Sequence, residues 1–153
     1  MKLVAVGASA TLVMDAAGEA IKRTKGVSPL NLNMVGRWIG HMAKGTFAHE
    51  HIGRAPAVRH EDKIGLAAHY GIGIAFAPLV LCIQQDWLER PTVLPALAVG
   101  VGTSLAPWLW MQPAFGFGVM GSKLPEPDTA RFRTIRAHFF YGLGLYLTGR
   151  ALA

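Results

Sequence analysis

Pro91 to Ser122 reads PTVLPALAVGVGTSLAPWLWMQPAFGFGVMGS, 32 residues without one Asp, Glu, Lys or Arg. A second uncharged run, Ile64 to Gln85, has 22. A helix needs roughly 18 to 20 apolar residues to cross the hydrocarbon core of a bilayer, and both runs exceed that. The pattern therefore points to an all-α integral membrane protein. The rest of the composition agrees: of 153 residues, 52% are hydrophobic and 16% charged, where a soluble domain carries about 25% charged residues. Mean hydropathy is +0.33. A disordered or nucleic-acid tail protein is excluded.

Working outward, four spans are expected, over about 3–21, 64–84, 92–112 and 134–153, forming a transmembrane helix bundle in a single membrane domain over 1–153. The first is the weakest. Its unbroken apolar part, Leu3 to Met14, follows Lys2 and has the length of a signal-peptide core, which stands as the alternative. Arg150 can reach the headgroups from the end of the fourth span by extending its side chain. The formal charge of +6 is concentrated in two loops, so it reads as membrane orientation, with no nucleic acid as partner. Lys22, Arg23, Lys25, Arg37, Lys44, Arg54, Arg59 and Lys63 lie between spans one and two, and Lys123, Arg131, Arg133 and Arg136 between spans three and four. Basic loops stay cytoplasmic, which places both termini outside the cytoplasm. Cys82 is the only cysteine, so there is no intramolecular disulfide and no zinc ribbon.

The first basic loop is too long for a plain linker. Met34, Val35, Trp38, Ile39 and Met42 recur in it at helical spacing, with Arg37, His41 and Lys44 on the other face. That is a short amphipathic helix, read either as interfacial, with Trp38 at headgroup depth and the basic face on lipid phosphate, or as packed on the bundle. Arg37, Trp38 and His41 are its candidate site.

Ionisable groups inside a membrane need a partner or a wet cavity. Gly7, Thr11, Asp15 and Glu19 form one stripe in the first span; Gly65, His69, Gly73 and Ala77 form one in the second; His138, Gly142 and Gly149 mark a face of the fourth. Small residues beside polar ones mark helix-packing faces. Asp15, Glu19, His69 and His138 are therefore expected to point inward and, with Gln112, to meet in one polar cluster roughly 6 to 9 Å below the cytoplasmic surface. Three uses compete: metal binding, proton relay or substrate binding in transport, and an ion pair that merely sets helix register. No HExxH or ExxH pair supports a metal, so no metal ligand is assigned. His49, His51 and His60 read as solvated loop residues.

Two glycine patterns need separate readings. GFGVMG at Gly116 to Gly121 matches G-x-G-x-x-G, but it follows a membrane span rather than a strand and leads into Pro125 and Pro127, so no dinucleotide site is expected. It is read as an irregular return segment, shielded by protein or lining a cavity. G-x-G-x-x-x-A-P occurs at Gly71 to Pro78 and at Gly100 to Pro107, which predicts a proline kink in each span and leaves an inverted repeat open.

ATLVMD (Ala10 to Asp15), VGRWIGHM (Val35 to Met42), HYGIGIAFA (His69 to Ala77), MQPAFGFG (Met111 to Gly118) and HFFYGLGLYL (His138 to Leu147) together resemble a bacterial inner-membrane family catalogued as domain of unknown function 2938. The resemblance covers nearly the whole chain, with GSKLPEP after Gly118 the least similar part. It implies a small four-span protein of the bacterial inner membrane and transfers no catalytic residue. Transport or permeation through the polar cluster is the first functional reading; an accessory or assembly role with a structural cluster is the alternative; a membrane-embedded metal or His/carboxylate enzyme comes third. The lipid bilayer and a second copy of the chain are the expected partners. No cofactor and no small molecule is assignable.

Overall fold

The computed structural model describes residues 1–153 and is helical throughout, with no strand. In chain order the helices are α1 (Lys2–Lys25), α2 (Leu32–Met42), α3 (Glu61–Phe76), α4 (Leu79–Ile83), α5 (Val93–Gly102), a π-helical stretch (Pro107–Met111), α6 (Gln112–Ala114) and α7 (Pro127–Leu152). Three stretches are long and apolar enough to cross a membrane: Lys2–Lys25, Glu61–Ile83 and Val93–Ala114. The expected fourth does not qualify. Helix α7 is 26 residues long, but Arg131, Arg133, Arg136, His138 and Arg150 hold its hydropathy too low.

Local chemistry sets the boundaries. α1 runs past the expected end at 21 because Lys22, Arg23 and Lys25 are good helix formers that favour the negative C-terminal pole. It stops at Gly26, whose φ of 67° closes the helix by donating to the Lys22 carbonyl. Asn31 caps α2 through its side chain, which accepts from the Asn33 N–H at 3.0 Å. α7 begins seven residues before the expected 134, with Pro127 at its start and Asp128 in its first turn. Both proline expectations hold, with a difference. The second span breaks at Ala77 and Pro78, whereas the third breaks at Thr103 and Ser104, ahead of Pro107, and is then wound with i to i+5 bonds in which the Gln112 N–H donates to the Pro107 carbonyl. The two breaks thus fall at unlike points of the G-x-G-x-x-x-A-P pattern, which argues against an inverted repeat.

The chain divides into two compact units. The first comprises Met1–Pro29, Tyr70–Ser104 and Ile135–Ala153. Its helices meet backbone to backbone. A Cβ on Gly100 of α5 would collide with Gly142 of α7; one on Gly144 of α7 would lie 2.7 Å from the Ala10 Cα, and one on Gly7 of α1 2.6 Å from the Ile74 Cα. α1 therefore touches α3 and α7, and α7 touches α5 as well as, through Tyr141, α3. Small residues at crossings let the main chains approach closely enough for dispersion contacts. Val6, Ala10, Ala77, Val80, Trp87, Ala96, Val99, Tyr141 and Leu145 make the core.

The second unit comprises Leu30–His69 and Leu105–Thr134. Here α2 crosses the start of α3 through Gly36 and Gly65, where side chains would strike the Glu61 and Leu32 carbonyls. The long connection after α2 is laced to the third span's end: the His49 N–H donates to the Ala114 carbonyl at 2.8 Å and the Ile52 N–H to Phe115 at 3.0 Å. Val35, Ile52 and Phe115 form its core.

Candidate functional site

In the second unit, the amphipathic α2 carries most of the polar chemistry, and its Arg37 and His41 are turned to protein, whereas Lys44, past its end, is exposed. Arg37 does not face lipid phosphate. Its Nε and Nη2 donate to the two Glu61 oxygens at 2.9 and 2.7 Å, and Nη1 donates to the Ile52 and Ala55 carbonyls at 3.3 and 3.1 Å. Both side chains are largely buried, 16% and 13% exposed. The physical reason is that an irregular connection presents carbonyls that a planar five-donor guanidinium can satisfy at once. Hydrogen bonding to Glu61 raises the Arg37 pKa above its ordinary value. Glu61 also accepts from the Val58 N–H at 3.0 Å, tying the chain's entry into α3.

The other two α2 residues follow suit. The Trp38 indole donates to the Phe47 carbonyl at 2.8 Å and packs edge-on against Phe115, centroids 5.6 Å apart. His41 Nδ1 lies 2.7 Å from His49 Nε2, one imidazole donating to the other. His49 is thus not the solvated loop residue expected; it is half-buried, with Nδ1 enclosed and unpartnered. His51 is exposed, as expected, and accepts from the Gly53 N–H. No group of three or more His, Cys, Asp or Glu is arranged to hold a metal.

The glycine-rich return segment is irregular, as its sequence implies. Gly116 and Gly118 have φ of 84° and 74°, and a Cβ on Gly116 would strike the Glu50 carbonyl. Ahead of it, Gln112 is buried, at 9% exposure. Its Oε1 and the Trp108 Nε1 have no hydrogen-bond partner. His69, also in this unit, is half-buried on α3.

In the first unit, Asp15 is half-buried and lies against the Tyr70 hydroxyl. His138 Nδ1 is 2.9 Å from the Thr103 hydroxyl, which also donates to the Gly100 carbonyl at 2.7 Å. Tyr141 donates to the Gly73 carbonyl at 2.5 Å, one turn before the Pro78 break, and Thr11 to Gly7 at 2.9 Å. Glu19 does not point inward. It pairs along its own helix with Arg23 at 2.8 Å and Lys22 at 3.8 Å, because i, i+4 and i, i+3 spacing offers two cations at the solvated helix end. Both titratable groups lie well inside their helices: Lys25 follows Asp15 by ten residues and Pro127 precedes His138 by eleven, about 15 and 17 Å of helix.

Tyr70, Thr103, Tyr141 and Glu61 are the polar partners that sequence reasoning passed over, and Trp108 is a polar side chain it passed over. Only Thr103 carried a signal, standing next to the Gly100 face in an uncharged run. The chain belongs to the family described as protein of unknown function (DUF2938), which matches residues 4–152. No curated protein and no solved structure matches it.

Proposed function

We propose that this chain is an integral membrane protein that moves protons, alone or coupled to a solute, through polar groups set inside its helices. The carrying observation is that two titratable side chains deep in long helices, Asp15 and His138, are each set against a hydroxyl, Tyr70 and Thr103. A hydroxyl both donates and accepts, so it can hand a proton on to a titratable neighbour. On this reading α7 crosses as a fourth span, its low hydropathy tolerated because its glycine face is covered by protein. Asp15 and His138 are then the titratable stations of the path. The bilayer is a bacterial inner membrane, both termini lie outside the cytoplasm, α2 rests at the cytoplasmic interface, and two or more copies assemble, since so few helices enclose little volume.

The test is proton entry into vesicles holding the purified protein and a pH-sensitive dye, under an imposed membrane potential. Entry well above that of empty vesicles is expected, falling to the empty-vesicle rate in Asp15→Asn and His138→Gln. Equal rates in wild type and empty vesicles, or unchanged rates in both variants, refute the reading. An accessory or assembly role is favoured by a different observation, the direct backbone contacts at Gly100, Gly142 and Gly144, which suit a rigid scaffold.

A further inference from the structure

Trp108 and Gln112 stand one helical turn apart in the second unit, and each has an enclosed polar atom without a partner: an indole N–H that can only donate and a carboxamide oxygen that can only accept. Buried polar groups are almost always paired, by protein or by an ordered small molecule. Two complementary exceptions at i and i+4 are therefore informative. The helix between them is not ordinary. Pro107–Met111 is π-helical, a winding frequent at functional sites, and with its i to i+5 bonds residues four apart still lie near one face.

The segment beside Gln112 has an unusual backbone. Gly118, Met120 and Gly121 have φ of 74°, 53° and 68°. Met120 is a non-glycine residue held in the left-handed region, which costs energy and persists only when its surroundings impose it. Here they do: Arg131 Nε donates to the Met120 carbonyl at 3.1 Å, and the Leu124 N–H donates to Gly121 at 2.9 Å. The result brings a residue without a side chain alongside the carboxamide. A Cβ on Gly121 would lie 3.5 Å from Gln112 Oε1 and 3.1 Å from Leu124 Cδ1, occupying that space.

We infer that Trp108 Nε1 and Gln112 Oε1 jointly hold a small uncharged hydroxyl compound, its oxygen accepting from the indole and its O–H donating to the carboxamide. The two side chains are neutral, so the site selects a donor and acceptor in one group rather than an ion. Side chains one turn apart start about 5 to 6 Å from each other at Cβ, which suits an occupant of a few heavy atoms. Water and a small alcohol share this chemistry. The inference concerns occupancy, so it stands or falls independently of proton movement.

The experiment uses the full chain, 15N-labelled, in phosphatidylcholine nanodiscs, with ethylene glycol as the probe. The Trp108 indole resonance is identified by its loss in Trp108→Phe. It is expected either to contact a long-lived water or to shift saturably with ethylene glycol, and the response is expected to vanish in Gln112→Leu. A water contact that ethylene glycol leaves untouched identifies water as the occupant; a saturable shift identifies the alcohol. If Gln112→Leu does not fold, shown by collapse of the Trp38, Trp87 and Trp110 signals, the Gln112 amide pair is followed instead, and its response must be lost in Trp108→Phe. A Trp108 indole that shows neither response, or a response unchanged by loss of its partner, overturns the inference.

Discussion

The two units of this molecule solve the same problem, how to bury backbone and polar groups, in opposite ways. In the first unit the backbone is almost wholly inside helices, and packing is achieved by omission: glycines at Gly7, Gly73, Gly100, Gly142 and Gly144 let main chains touch. Polar side chains there are few and turn back to carbonyls or to one another. In the second unit much of the backbone is irregular, and packing is achieved by addition, with Arg37, Trp38 and loop N–H groups supplying donors to carbonyls that no helix satisfies. Non-helical backbone survives near a membrane only where protein covers it. The contrast teaches that the charge-poor part of the chain is sensitive to added volume, and the charge-rich part to lost hydrogen bonds.

The largest expected effect breaks that second strategy. Arg37→Met leaves the largely buried Glu61 carboxylate without its cation, held by the Val58 N–H alone, and takes one donor from each of the Ile52 and Ala55 carbonyls, so a loss of about 3 to 5 kcal/mol is expected, read as thermal unfolding in detergent. Arg37→Lys keeps the charge but not the fork, and should fall between. A milder loss in the double variant Arg37→Met, Glu61→Met than in Arg37→Met would show that the unpaired charge, rather than lost volume, is responsible. Next comes the first strategy: Gly100→Ala forces α5 from α7 and should cost about 1 to 3 kcal/mol, whereas Gly102→Ala, with open space around it, should be neutral or slightly stabilising. Equal effects at the two positions would dissolve the distinction. Tyr141→Phe removes one hydrogen bond to the Gly73 carbonyl and should cost about 1 kcal/mol. Glu19→Ala is expected to leave the unfolding temperature unchanged, because its ion pairs are solvated; a clear loss there would mean that the pairs are covered by something else.

How far these features could be read in advance follows the same divide. Spans two and three, α2 and both proline breaks were legible, since each rests on a local pattern: an uncharged run, a 3.6-residue period, a missing N–H. The stripe that holds Asp15 also holds the closely packed Gly7 and the buried Thr11. The neighbour of Asp15 on that stripe, Glu19, was misread because the pattern carries no depth, and one more turn took it among Lys22 and Arg23. The fourth stretch falls short in hydropathy because Arg136 and Arg150 close in on HFFYGLGLYL from both sides, leaving only 137–149 free of charge.

What the sequence alone determined is therefore the class and the covering of the chain: helices, their membrane-compatible lengths, the amphipathic α2, and membership of a family recognisable from five short blocks. These depend on residues near one another along the chain, where propensity and periodicity act directly. What only the tertiary structure decided is which polar atom meets which. The Arg37 to Glu61, His41 to His49 and Thr103 to His138 contacts join residues 24, 8 and 35 apart. Such pairings depend on where helix crossings bring side chains, and the glycines that set those crossings carry no chemical label naming the partner.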